Sequence, residues 1–510
     1  MNYIDLFRAT LPETALEVAV LVVVIADLAF LRKAALQTRV AVAALLGVAG
    51  CAASLWAVTA TGPYALGGDL ILTAGGATGV AQAGILVLTA LTLLLFIGAG
   101  FTRNVGEYVA VVLMAAAGGL LIAAAQDLLV IFIGLELLSL SLYIMTAFAK
   151  HSDKSAEAAM KYYLFGGMSA AFLLFGFSYL YGITGSTNLH QIQLAIYTQN
   201  AMNAAPMLYV AIVLIAAGLG FKVAAVPFHL WAPDTYEGAP TPAAAFIASV
   251  SKVASFALLI SIAASASHVF DGQSVASSVT AQVIAAGTGS RPVYLGFSAP
   301  WTLILVVFAT ASMVLGNLAA LAQTSVRRLL AYSAIAHAGY MLLGLAFFTK
   351  TPVSTDAILY YILSYGLTAI GAFGVVGVVE RASGSDKLDA FLGLHKRNPL
   401  LAGVLLVLFL SLAGIPPLVG FWAKFNLFAA VLSDAAGPVP FLLVALAVAM
   451  SAVSLYYYLQ VLKRAYVMNA ADDAPLHVHP VTMAVLVAIA AAVVVLGCFP
   501  ALLQSWIAGF

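Results

Sequence analysis

Charge is what this chain has least of. Only 8% of its 510 residues are Asp, Glu, Lys or Arg, and the net charge is +1, whereas soluble domains carry about 25% charged residues. The few basic residues are scattered over loops, which excludes an electrostatic nucleic-acid patch. Cysteine is scarcer still. Cys51 and Cys498 lie far apart in apolar runs with no CxxC neighbour, so iron–sulfur clusters, c-type haem and zinc ribbons lack ligands. Both cysteines are expected as small buried hydrophobes. No P-loop and no GxGxxG following a strand is present, which leaves no nucleotide cradle. The histidines lack carboxylate or cysteine neighbours at ligand spacing, and His477 and His479 are expected in a solvated loop. Alternating strands of the outer-membrane barrel type are missing. The start, MNYIDLFRATLPETALEV, has no basic n-region before a short apolar core, so no cleaved signal peptide is expected.

Hydrophobic length fills the chain instead, at 64% of residues. Windows of about 20 apolar residues predict fourteen spans, at roughly 12–31, 39–60, 77–99, 106–124, 128–149, 155–182, 207–231, 241–266, 300–322, 327–348, 355–380, 399–427, 439–463 and 481–503. The fold class is an all-α integral membrane protein. Taking alternate connections as one side places fifteen of the 21 basic residues there: Arg32, Lys33, Arg39, Arg103, Lys150, Lys154, Lys161, Arg327, Arg328, Arg381, Lys387, Lys396, Arg397, Lys463 and Arg464. The other side has only Arg8, Arg291 and Lys350, and three lysines remain inside spans. The positive-inside rule makes the fifteen cytoplasmic and both termini periplasmic. The Ala/Gly-rich composition favours a bacterial inner (plasma) membrane. Two long connections, 268–300 and 380–399, are expected as solvated loops on the periplasmic and cytoplasmic sides respectively.

The stretch from Pro206 to Ala266 holds two spans joined by a polar hairpin, with Lys222 and Lys252 well inside the apolar runs. A charge near the bilayer centre costs at least ~2.5–3.5 kcal/mol and marks a functional site by default. Pro227 removes a helix hydrogen bond five residues after Lys222, and lipid tolerates such a break only where protein or water re-satisfies the backbone. A second broken span contains Pro416 and Pro417, followed by Lys424. Lys222 and Lys424 are 202 positions apart, Glu136 and His337 201. These offsets suggest two five-helix units, spans 4–8 and 9–13, whose odd number inverts one against the other. The expected organisation is a three-helix segment at 1–100, a first repeat at 101–267, a periplasmic loop at 268–299, a second repeat at 300–466 and a last loop and helix at 467–510.

Glu136, mid-span, would be neutral or paired with a cation, and Ser139 and Tyr143 lie on nearly its helical face. Three buried lysines against one clear buried acid leave cations unpaired, as a proton relay requires. A Glu–Lys contact at 4 Å is worth ~4 kcal/mol at a dielectric of 20, while one charge crossing ~200 mV costs ~4.6 kcal/mol. Opening or closing one pair can therefore load or expel a proton. His337 is a further relay candidate. His229, beside the Pro227 break, is a weaker one that is equally consistent with an interfacial position. Asp27 and Asp127 read as interfacial, Arg327 and Arg328 as topology anchors, and Tyr456, Tyr457 and Tyr458 as packing. No cofactor or metal is expected on the chain.

The runs KVAAVPFHLWAPDTYEGAPTPAAAFIASVSKVA, MKYYLFGGMSAAFLLFGFSYLYGITGSTNL, SVRRLLAYSAIAHAGYMLLG and GIPPLVGFWAKF resemble subunit N of the proton-pumping NADH:quinone oxidoreductase (respiratory complex I), an antiporter-like subunit family. The resemblance implies a hydrophilic axis for protons through Glu136, Lys222, Lys252 and Lys424, with His337 on it. It also implies inverted five-helix repeats and activity as a translocase subunit coupling NADH-to-quinone electron transfer to pumping. FMN and iron–sulfur clusters would sit on partner subunits. Those partners would include the antiporter-like subunit M and the small subunits K, J and A. An Mrp-type cation/proton antiporter subunit, and a scaffold with buried ion pairs, remain as alternatives.

Overall fold

The computed structural model describes residues 7–62, 64–66, 71–198, 205–267, 298–348, 352–434, 437–470 and 474–510. Nearly all of these are helical. The first span joins α1 (Leu11–Ile25) to a π-helical turn ending at Phe30. Then come α2 (Leu36–Thr61), α3 (Gly76–Phe96), α4 (Val105–Ala124), α5 (Leu128–Thr146) and α6 (Asp153–Thr184). The short α7 (Leu189–Thr198) precedes the seventh span, α8 (Ala205–Val223), which ends in a break, and α9 (Trp231–Gly238) lies beyond it in the connection to the eighth. The eighth is α10 (Thr241–Ala248) and α11 (Val250–Ser267), interrupted at Ser249. The chain continues with α12 (Ser298–Leu321), α13 (Val326–Ala346), α14 (Pro352–Ser383), α15 (Pro399–Ala413), α16 (Val419–Asp434), α17 (Pro438–Tyr466), α18 (Pro480–Cys498) and α19 (Pro500–Ala508). With α15 and α16 as one broken span, fourteen spans result among the described residues, as hydropathy predicts. The small hairpin pairing Tyr64–Leu66 with Leu72–Ala74 is not foreseen by the all-helical expectation.

Local chemistry sets many of the boundaries. Asp127, Ser152, Ser325 and Asn398 each accept a backbone N–H of the first helical turn from the N-cap position. Prolines open α10, α15, α17 and α18, where a missing N–H costs nothing.

Contacts sort the connections onto two faces. Lys154 and Arg328 both pair with Glu237, Ser325 bridges Lys387, and Gly393 N–H donates to the Arg464 and Met468 carbonyls. These connections, with their basic residues, share one face. On the other, Gln126 N–H meets the Ile71 carbonyl, Leu128 N–H meets Thr187, and Gly76 N–H meets Phe510 at the C-terminus.

The two repeats are visible as repeated contacts. Leu128 N–H to Thr187 and Leu189 N–H to Gln126 on the face opposite the basic one match Val326 N–H to Asp386 and Leu388 N–H to Thr324 on the basic face. A Cβ on Gly118 would stand 2.7 Å from Leu138 N and 3.0 Å from Gly134 O. One on Gly316 would stand 2.7 Å from Ala336 N and 2.9 Å from Tyr332 O. Only glycine permits these approaches of α4 to α5 and α12 to α13. Because corresponding pairs lie on opposite faces, the repeats are inverted. Their register here is 198, not 201, so the position matching His337 is Ser139 rather than Glu136.

Burial ranks the spans. The windows of the eighth and tenth are 94% buried within the chain and that of the eleventh 89%, against 22% for the thirteenth. The interior helices are therefore α10, α11, α13 and α14, and they carry the polar groups described next.

Candidate functional site

Each broken span leaves helix-end carbonyls without a partner, in a medium that offers no water to satisfy them. In the seventh span, α8 ends at Val223 and Ala224 takes a left-handed φ of 58°. In the twelfth, α15 ends at Ala413 and Gly414 has φ 88°. The breaks correspond at an offset of 190, which also pairs Pro227 with Pro417.

Lysines meet these ends. Lys252, 2% exposed, donates to the Val223 carbonyl at 3.2 Å and to the Ala334 carbonyl of α13 at 2.8 Å. Lys424 donates to Leu412 O at 3.2 Å, Ala413 O at 2.9 Å and Ser451 Oγ at 2.8 Å. Its ammonium also stands 5.5 Å from the Tyr340 ring centre. Helix C-termini carry partial negative charge and favour cations, so the breaks both expose the acceptors and attract the ammonium groups. Val223 and Ala413 are themselves 190 apart. The two repeats thus place an ammonium on the same carbonyl, from α11 in one and α16 in the other.

Lys222, in the last turn of α8, donates to Ser139 Oγ at 2.5 Å. Ser139 in turn donates to Leu135 O. Glu136 is half-buried on α5, within electrostatic reach of Lys222 and Tyr143, but no ion pair within 4 Å joins it to a lysine among the described residues. His337, 4% exposed, shares a hydrogen bond of 2.8 Å with Tyr361 through Nδ1 and lies within electrostatic reach of Lys252 and Lys424. The polar groups thus run from Glu136 through Ser139, Lys222, Lys252 and His337 to Lys424 and Ser451, crossing both repeats. Carbonyl oxygens in this chain only accept hydrogen bonds. Protons crossing from one lysine to the next need water or side-chain movement at those points.

Residues 125–291 and 274–454 match the family described as NADH:quinone oxidoreductase/Mrp antiporter, TM. "NADH-quinone oxidoreductase subunit N 2" of Acidobacterium capsulatum is 48% identical over 99% of each chain. The chain belongs to this antiporter family. A subunit N from Desulfovibrio desulfuricans is 38% identical over 98% of this chain and 95% of its own. A chain of respiratory complex I from Thermus thermophilus superposes with TM-score 0.74 at 31% identity, covering 97% of this chain and 98% of that one. A chain of the Mrp complex from Dietzia shares the fold at TM-score 0.77 and 21% identity, over 97% and 95%.

Within the family fold, the structure brings together five of the six residues singled out from the sequence. His229, 7% exposed in the seventh-span break, has a buried Nδ1 without a hydrogen-bond partner and joins none of the hydrogen bonds above. Lys222 and Lys424 are not repeat equivalents: the first precedes its break and the second follows it. Ser139 bonds Lys222 instead of Glu136. Sequence reasoning missed Ser451 and Tyr361. It also read Tyr457 and Tyr458 as packing, whereas Tyr458 bonds Ser333, Tyr457 donates to Asn317 Oδ1 at 3.1 Å, and Asn317 donates to Tyr340 at 3.0 Å. Tyr456 is exposed.

Other expectations change similarly. Arg327 is 4% exposed and binds the Tyr236 and Ala239 carbonyls and Glu380; it is a buried fastener, not a surface anchor. Asp27 is buried against Arg39. Cys51 is buried, but Cys498 is on the outer surface. The 380–399 connection packs inward through Phe391 and Leu394. Of the 268–299 loop, residues 268–297 lie outside the described residues. No cluster of three or more His, Cys, Asp or Glu suited to a metal occurs among the described residues.

Outside the spans, Asp234 on α9 is held by Lys161 at 2.7 Å and Arg328 at 2.6 Å. Burial pushes its carboxyl up, and these two hydrogen bonds outweigh that, leaving it below the usual carboxylate range.

Proposed function

We propose that this chain is a proton-translocating membrane-arm subunit of an NADH:quinone oxidoreductase, and that Glu136, Lys222, Lys252, His337 and Lys424 carry the proton. The observation that carries the reading is the row of lysines bound to serines and backbone carbonyls, with no acid within 4 Å among the described residues, through the interior of both repeats. An ammonium held by neutral acceptors can release its proton without stranding a carboxylate. Full-length similarity to proteins named subunit N supports the assignment to that enzyme. Electron transfer would reach the chain through charge and hydration changes in neighbouring subunits. These neighbours include an antiporter-like subunit M and small subunits K, J and A, with the redox groups elsewhere in the complex.

The gathering of basic residues on one face supports an orientation with that face cytoplasmic and both termini periplasmic, in a bacterial inner membrane. Residues 101–267 and 300–466 form the two repeats, flanked by the segments 1–100 and 467–510.

The test is NADH-driven proton uptake per electron in sealed vesicles, for wild type and Lys222→Ala. A lowered ratio in a fully assembled complex supports the relay, and an unchanged ratio overturns the part given to Lys222. An Mrp-type antiporter subunit is the second reading, favoured by the shared fold. Co-purification with peripheral redox subunits excludes it.

A further inference from the structure

The first span carries two buried acids, at its two ends, and they are held differently. Asp27, 1% exposed, accepts Arg39 Nε at 2.8 Å, Arg39 Nη2 at 2.7 Å and Gly106 N–H at 3.1 Å. Glu13, 7% exposed, has no cation within 4 Å among the described residues. Among the described residues the side-chain donor it meets is Gln82 Nε2, 3.5 Å from Oε1, and that amide is shared with the Leu120 carbonyl at 3.3 Å. Oε2 is buried with no hydrogen-bond partner.

An ionised carboxylate left this way costs several kcal/mol, which one long, shared amide hydrogen bond does not offset. The neutral acid avoids that cost and has a proton to give. The amide turns its donor, not its oxygen, to the carboxyl, and one carboxyl with the Leu120 carbonyl falls short of the six or more oxygens a hard metal ion takes. A proton is therefore the ligand the site fits.

Its place is as specific as its chemistry. Glu13 is in the first turn of α1, Gln82 two turns into α3, and Leu120 one turn before the end of α4. All three are near the face opposite the basic one. Glu13 and Gln82 belong to the three-helix segment, outside both repeats and apart from the row of lysines.

We propose that Glu13 and Gln82 form a second proton-binding site, which exchanges its proton with the face opposite the basic one during turnover. The part played in turnover rests on the translocating function proposed above; the existence of the site does not.

Two readouts test it on the assembled complex in sealed vesicles. Dicyclohexylcarbodiimide adds to protonated carboxyls in apolar surroundings, and the acid O–H that adds across one C=N bond ends as a stable N-acylurea. Peptide mass spectrometry of wild type at neutral pH should find that adduct on Glu13, and Glu13→Gln should lose it. Glu13 without adduct overturns the site. Protons pumped per electron should fall in Glu13→Gln and be retained in Glu13→Asp, which keeps an acid. An unchanged ratio in Glu13→Gln overturns the role in turnover. If Glu13→Gln does not assemble, loss of pumping in Glu13→Asp overturns that role instead. Wild type that pumps nothing while Glu13 is labelled would refute the function proposed above and leave the site standing.

Discussion

Replacing Lys252 by Met keeps an unbranched side chain, one atom shorter, and removes the ammonium. The helix-end Val223 carbonyl then loses its donor, at about 1–3 kcal/mol, while Ala334 O, within α13, loses an additional one. Against that, the fold no longer desolvates a charge, a relief of several kcal/mol. The two effects nearly cancel, so the variant complex should assemble and its stability should stay within about 2 kcal/mol of wild type. Proton transfer has no such compensation. Holding a proton against ~200 mV involves ~4.6 kcal/mol, a factor of roughly 2,500 in occupancy at 1.36 kcal/mol per decade, and a thioether takes up no proton. Proton uptake per electron in vesicles, measured beside detergent melting of the complex, separates the outcomes. The expected result is near-normal melting with pumping per electron lowered. Wild-type pumping per electron would refute the place of Lys252 in the relay. A complex that fails to assemble would refute the cancellation and support the scaffold alternative.

Gly414→Ala should lower stability by about 1–2 kcal/mol, because φ 88° is left-handed, and should also impair pumping, because the new Cβ would lie 3.0 Å from Lys424 Cδ. Melting and vesicle assays read the two effects separately. Arg327→Leu removes the donor to Tyr236 O, Ala239 O and Glu380 together. A loss of about 3–5 kcal/mol is expected, seen as reduced assembly on native gels. Asp234 should stabilise the fold above its ordinary value of about 3.9, and that contribution is lost as pH falls through its lower folded value. Asp234→Asn should therefore lower melting at pH 7 by about 1 kcal/mol or less, given its partial exposure, and the difference from wild type should vanish in strong acid.

Hydropathy made the fourteen spans and both proline breaks legible, and the rarity of charge in lipid pointed to Glu136 and the three lysines. The partners of those lysines were not legible. A backbone carbonyl freed by a helix break has no side-chain signature, so Val223, Leu412 and Ala413 look like any apolar residue, and so does Ala334 within α13. Hydropathy also reports exclusion from water without distinguishing lipid from protein. This is why Cys498 was expected inside, and why Arg327, at the start of a span, resembled an anchor. The repeat register failed because function-bearing residues were used to align it. Gly118 and Gly316, where backbone meets backbone, give the offset that the contacts confirm.

The bond between Lys424 and the end of α15 ties a chemical state to a mechanical one. A charged ammonium binds the Leu412 and Ala413 carbonyls more strongly than a neutral amine does, so the angle at the break and the proton on the lysine are thermodynamically conjugate. By reciprocity, whatever displaces α15 from α16 must weaken the hold on that proton by the same free energy with which the proton resists the displacement. A lateral push from a neighbouring subunit would then act on the chain as a change in acidity.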